Sequence, residues 1–246
     1  MPESGFKKEL LWIVGVKRII ETMIKHQPVM YMISALLFGF FVMIEDARAD
    51  TESDIRIGLE ALNDGQYETA FRLFNNVLEN PEHPLNDEEK SLYLTYRGAS
   101  YILLNQLEKA LADLGEAIQF NPREARAHYR YGQALMDLEK SGEAILHFDR
   151  ALELKPDYLE ALLDRAVAYK RVGDTVRELE DLKAALAIDR KNFPAHLNLG
   201  MYYLKLKNYE AAIKNLDLCI QYRPNVSFVY VLRGAIYEIQ GQTEKA

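Results

Sequence analysis

From residue 51 onward, apolar residues recur at helical spacing in stretches of about twelve residues, separated by short polar turns. One unit is the run AHYRYGQALMDLEKSGEAILHFDRALELKP, residues 127–156, whose two apolar-periodic halves are parted by a turn from Glu139 to Gly142. This pattern predicts two antiparallel helices per unit. Neither helix can bury its apolar face alone, so successive units must stack into one continuous core.

The unit recurs along the chain. Pro122, Pro156 and Pro224 are spaced by 34 residues and by twice 34. Gly98, Gly132, Gly200 and Gly234 keep the same register, with Ala166 filling the gap; Ala110, Ala144 and Ala212 repeat in step, as do Tyr101, Tyr169, Tyr203 and Tyr237. Cut in this register, repeats begin at residues 51, 91, 125, 159, 193 and 227, with about six extra residues in the loop after the first and the sixth running only partway into its second helix. The small residues let two helices approach closely, and each proline ends a second helix, because proline cannot continue the hydrogen-bond ladder.

A 34-residue period with these glycines, alanines and prolines resembles the tetratricopeptide repeat family, over residues 50–246. The resemblance implies an all-α fold, a right-handed superhelical solenoid of antiparallel helix pairs. It also implies that the first helices line a concave groove and that the protein holds other proteins. Carried over by register, the groove positions include Tyr129, Gln133 and Met136 in the third repeat and Leu163, Val167 and Lys170 in the fourth. Leu197, Met201 and Leu204 follow in the fifth, and Phe228 in the sixth. This lining is mainly apolar, with Arg126, Lys170, Arg171 and Lys205 as scattered cations, and lacks the lysines, asparagines and arginine with which some related domains clamp a C-terminal carboxylate. It suits an apolar or amphipathic partner segment with acidic flanks. The competing expectation is that neighbouring repeats, or self-association, fill the same positions.

The fourth repeat departs from the pattern. Glu178 stands where others have alanine, and Arg190 where others have proline. An unpaired buried carboxylate would cost several kcal/mol, so Glu178 is expected to reach solvent, its helix slightly displaced. A second pattern is structural in character: Arg97 and Arg165 are each followed sixteen residues later by an aspartate, Asp113 and Asp181. Repeats without the arginine lack the aspartate, having Tyr131 with His147 and Leu199 with Asn215. The same pairing would place a partner for Arg233 beyond residue 246.

Residues 1–49 read differently. Residues 28–44 (PVMYMISALLFGFFVMI) carry no charge; Lys25 and His26 precede them and Ala47-Arg48-Ala49 follow. A positive flank, an apolar run and small residues before a cut make a secretory signal, with cleavage between Ala49 and Asp50. The product would be periplasmic or secreted, or anchored in a membrane if the run is retained. The flank from Met1 to Lys25 is either an amphipathic surface helix or sequence ahead of a true start at Met23.

Composition narrows the function. The net charge of −7 argues against nucleic acid as the main partner. The single cysteine, Cys219, excludes an intrachain disulfide and a cysteine-based zinc site. It falls in register with Ala117, Ala151 and Ala185, where a small buried thiol packs. No phosphate loop, dinucleotide fingerprint, nucleophile elbow or HExxH motif occurs, and no catalytic, cofactor or metal residues are assigned. The chain is read as a protein-binding scaffold of the cell envelope. The alternatives are a docking module of a longer enzyme and a self-assembling structural protein.

Overall fold

The computed structural model describes residues 53–81 and 84–242. Contacts divide the chain into two units, 1–57 and 58–246. Of the first unit only the helical residues 53–57 are described; the candidate signal segment, 1–49, and its cleavage point between Ala49 and Asp50 lie outside the described residues. Among the described residues no helix is long and apolar enough to cross a membrane.

The described residues form eleven helices and no strand. Helix α1 covers 53–63 and ends in the second unit. It is followed by α2 (Tyr67–Glu79), α3 (Asp87–Leu103), α4 (Leu107–Phe120), α5 (Ala125–Asp137) and α6 (Ser141–Leu154). Then come α7 (Leu159–Val172), α8 (Thr175–Ile188), α9 (Phe193–Lys205), α10 (Tyr209–Tyr222) and α11 (Ser227–Ile239). Odd helices are the first, and even helices the second, of each repeat. Within the second unit each helix packs on the next in sequence, giving a right-handed superhelical solenoid of antiparallel pairs.

The close approach inside a pair is set by the small residues. A Cβ on Gly132 would sit 2.6 Å from the Phe148 ring, and one on Gly98 2.7 Å from the Leu114 side chain. In the fourth repeat Ala166 meets Leu182 in the same way. Phe74, Leu114, Phe148, Leu182 and Leu216 are the matching large residues of the second helices, all fully buried. Each such burial contributes about 1.5–3 kcal/mol. Ala110, Ala144 and Ala212 are completely enclosed, and so are Ala117, Ala151, Ala185 and Cys219. The Cys219 thiol faces the Phe193 carbonyl at 3.8 Å, and burial pushes its pKa up to about 11.

The turn within each pair needs one left-handed residue. It falls at the same register position throughout: Gly65, Asn105, Glu139, Gly173, Lys207 and Gly241 all have positive φ. Each second helix ends with an extended residue before the register proline, as at Lys155 (φ −138°, ψ 89°), the conformation proline imposes on its predecessor. Asp189 adopts the same angles (φ −130°, ψ 99°) although Arg190 follows it. The His196 Nε2 contact with the Arg190 carbonyl at 3.1 Å matches that of His128 Nε2 with the Pro122 carbonyl at 3.3 Å, so the turn keeps its geometry without the proline.

Candidate protein-binding groove

The side chains expected to face the groove divide into two groups. Tyr129 and Met136 are buried, so neighbouring repeats fill these two positions. Leu163, Val167, Leu197, Met201 and Leu204 remain partly exposed, and Phe228 is 54% exposed. The apolar strip is therefore open along the first helices of repeats four, five and six and closed at repeat three.

At repeat three a polar network takes its place. The Tyr129 hydroxyl donates to Asp164 Oδ2 at 3.0 Å, and Gln133 Nε2 donates to the Tyr129 hydroxyl at 2.7 Å and to Asp164 Oδ2 at 3.0 Å. Arg130 donates to Gln133 Oε1 at 2.7 Å, which fixes the amide orientation. Burial and the nearby Asp164 charge push the Tyr129 hydroxyl far above its usual range. Burial likewise raises the Asp164 carboxyl, although hydrogen bonds from Gln133 and Tyr129 oppose the shift. Asp164, Arg130 and Tyr96 were not among the expected site residues. Their signal was present as a column of mostly polar residues at the sixth position of successive repeats: Tyr96, Arg130, Asp164 and Asn198.

Two of the four expected cations are committed elsewhere. Arg126 donates to the Tyr96 hydroxyl at 2.7 Å and to Glu124 at 3.1 Å. Arg171 donates to the Met136 carbonyl at 2.8 Å, capping the end of α5. Lys170, half-buried, and Lys205, exposed, make no hydrogen bond or ion pair among the described residues.

Glu178 corrects an expectation. It does not reach solvent; it is 2% exposed, and its Oε2 has no hydrogen-bond partner. The reason is that α8 stays in register, with Leu182 and Ala185 fully buried on the same face. The carboxylate is thereby confined where Ala110, Ala144 and Ala212 pack in the other repeats. Burial raises its pKa, while Lys170 and Lys205 pull it back.

The arginine–aspartate pairs are present and bidentate. Arg97 binds Asp113 at 2.6 and 2.9 Å, and Arg165 binds Asp181 at 2.8 and 2.6 Å. Arg233 donates to Asp217, sixteen residues back, at 2.6 Å; the forward partner expected beyond residue 246 lies outside the described residues. For Arg165, burial works to lower the pKa, but the hydrogen bonds and charges of Asp181 and Asp149 outweigh it and raise it. These groups lie between packed helices and are structural. Among the described residues no group of three His, Cys, Asp or Glu side chains is placed to hold a metal ion.

Family comparison agrees with this geometry. TPR repeat and tetratricopeptide repeat models match residues 98–139, 125–158 and 193–226. The Hsp70-Hsp90 organizing protein of Triticum aestivum is 26% identical over 179 residues, 73% of this chain and 28% of that protein. The chain thus spans less than a third of that relative's length. Among solved structures, PilW, a widely conserved type IV pilus biogenesis factor, superposes with a TM-score of 0.69 at 20% identity, over 79% of this chain and 88% of that one. YrrB, described as a TPR protein with an unusual peptide-binding site, gives a TM-score of 0.56 at 21% identity, over 78% and 96%.

Proposed function

This chain is a tetratricopeptide repeat protein, and we propose that its second unit is a scaffold that grips an amphipathic segment of a partner protein along the face made by the first helices. The observation that carries this is the residual exposure of Leu163, Val167, Leu197 and Met201 after every neighbouring repeat has packed. An open apolar strip on consecutive first helices matches the anchor pattern of an amphipathic helix laid in a groove. The organizing protein of Triticum aestivum and the peptide-binding YrrB support the same class of role. We further propose that the scaffold works in the cell envelope, exported by the segment ending at Ala49 or anchored through it. Support for this is the uncharged run of residues 28–44 with its basic flank.

The test is capture of envelope proteins by the full chain and by its Val167→Asp, Met201→Asp variant, after circular dichroism has shown equal helix content. A partner held by the first and lost by the second supports the groove. A partner retained equally by both places binding elsewhere.

A further inference from the structure

We propose that the edge made by the turns of repeats four and five rests on an anionic lipid surface. Val172, Val176 and Leu206 enter the apolar phase, and Lys205 and Lys207 meet the lipid phosphates. This goes beyond the groove reading and uses none of its apolar positions.

The fold puts these residues on one edge. Helix α8 packs on both α7 and α9 and runs antiparallel to them. The C-terminal ends of α7 and α9, and the turns that follow, therefore come out on the same side. Val172 is the last residue of α7, Val176 the second of α8, and Leu206 the cap of α9. They are 49%, 67% and 52% exposed. The repeat pattern does not require this. Where Val176 stands, other repeats have Glu68, Glu108, Gly142 and Glu210. The position of Val172 and Leu206 holds Leu104 and Leu138 in repeats two and three, and both of those are half-buried.

The charge around these tips is positive. In a chain of net charge −7, residues 170–177 and 205–210 hold five basic side chains against Asp174 and Glu210. Arg177 is held by Asp174 at 2.6 Å, and Arg171 by the Met136 carbonyl at 2.8 Å. Lys205 and Lys207 are exposed and make no hydrogen bond or ion pair among the described residues. The helix dipole accounts for a lysine at the end of α9. It does not account for Lys207, which follows the helix at φ 59°, nor for the bare valines. The patch also has a boundary. A cleft of about 520 Å³ separates the turns of repeats three and four, with Arg171 and Val172 on one side and Asp137 and Glu139 on the other.

The shape of the patch selects the occupant. Isolated aliphatic side chains projecting from turns are covered by a rigid protein only if it offers a matching cavity, and protein hot spots favour aromatic anchors in pockets. Acyl chains close around such tips without a preformed cavity. Lysines beside them lay their stems along the apolar surface and keep their ammonium groups at the headgroups, where anionic lipid attracts them. An acidic protein segment would pair with the lysines and leave the valines in water.

The experiment attaches an environment-sensitive fluorophore to the full chain through Val176→Cys, the native Cys219 being buried. Phosphatidylcholine vesicles are compared with vesicles in which about a third of the lipid is phosphatidylglycerol, both carrying quenchers on the acyl chains. The expected result is blue-shifted, quenched emission on the anionic vesicles alone. The same label at Ile188→Cys, at the other end of α8 and about 18 Å away, stays in water. Lys205→Gln with Lys207→Gln lowers the ratio of buried to free label about thirtyfold, at unchanged helix content by circular dichroism. Raised salt lowers it without any substitution. The ratio is read within each molecule, so a chain held at the vesicle through residues 28–44 gives the same answer as a free one. Equal responses on the two vesicles, including none on either, overturn the proposal. So does a response at position 188 that matches the one at 176, or one that survives both the lysine changes and salt. A label at 176 that anionic vesicles leave in water but a polyglutamate peptide shields would put an acidic protein segment on this edge and also overturn it.

Discussion

Arg233 donates from Nη1 to the Asp217 carboxylate at 2.6 Å, sixteen residues back and across the junction between the fifth and sixth repeats. Arg165 makes the same backward bond to Asp149 at 2.6 Å. Arg97 makes it to Asn75 at 2.8 Å, 22 residues back because the long loop after α2 intervenes. Arg97 and Arg165 also reach forward to Asp113 and Asp181, so each arginine joins two second helices across one first helix. The third repeat is built otherwise, with Tyr131 stacked on His147 at 4.1 Å and Gly115 leaving room beside the Tyr131 ring. At this register position the solenoid therefore alternates between junctions tied by Arg97, Arg165 or Arg233 and junctions where another residue stands.

Removing one such tie leaves charge behind. Arg165 and Asp181 are 19% and 7% exposed, so Arg165→Ala strands a nearly buried carboxylate. The expected loss is about 3 kcal/mol, seen as a lower urea midpoint and faster amide exchange in α7 and α8. Replacing Arg165 by Met together with Asp149→Asn and Asp181→Asn removes the charges as a set and costs less than the single change.

Glu178→Ala restores the residue of the other repeats at a position where the carboxylate now has an unpaired Oε2. The variant is expected to gain about 1 kcal/mol, read as a raised thermal midpoint. A loss of stability would mean that Lys170 and Lys205 compensate the carboxylate more fully than its missing hydrogen bonds imply.

The paired imidazoles make the third repeat sensitive to acid. His128 and His147 lie 5.7 Å apart between ring centroids, each with a buried Nδ1 that has no partner. Burial lowers both pKa values; Arg150 adds to the effect at His128 and His128 itself at His147. The Pro122 carbonyl and Glu153 oppose it at His128, and Glu143 at His147. A folded pKa below the unfolded value means that the unfolded chain binds protons first. Stability from this pair is thus present above about pH 6.5 and falls as pH drops below it. In denaturation series the double variant His128→Gln, His147→Asn should lose less stability than the parent between neutral and acid pH.

Two glycines with open surroundings separate backbone strain from packing. Nothing lies within 4 Å of a Cβ at Gly173 or Gly142, but Gly173 has φ +86°. Gly173→Ala should cost about 1–2 kcal/mol, while Gly142→Ala, inside α6, should gain about 0.5–1 kcal/mol. Equal effects at both sites in thermal melts would refute the assignment of the Gly173 cost to its φ angle.

The sequence by itself determined the period, the helix pairs, the small contact positions and the forward arginine–aspartate ties. These contacts lie within one repeat, so they recur at a constant offset: Arg97 with Asp113 and Arg165 with Asp181, always sixteen residues apart. The tertiary structure decided what depends on how one repeat is set against the next. Tyr129 and Gln133 meet Asp164 at separations of 35 and 31 residues, and Arg126 meets Tyr96 at 30. No single offset describes these, because the superhelical twist determines which side chain of the neighbouring turn comes within reach. The same twist fills the groove at Tyr129 and Met136 and leaves it open at Val167 and Met201. It also holds Glu178 inside, where its charge alone would have sent it to solvent: the packing of Leu182 and Ala185 fixes the helix that carries it, and one carboxylate cannot turn a helix against its own core.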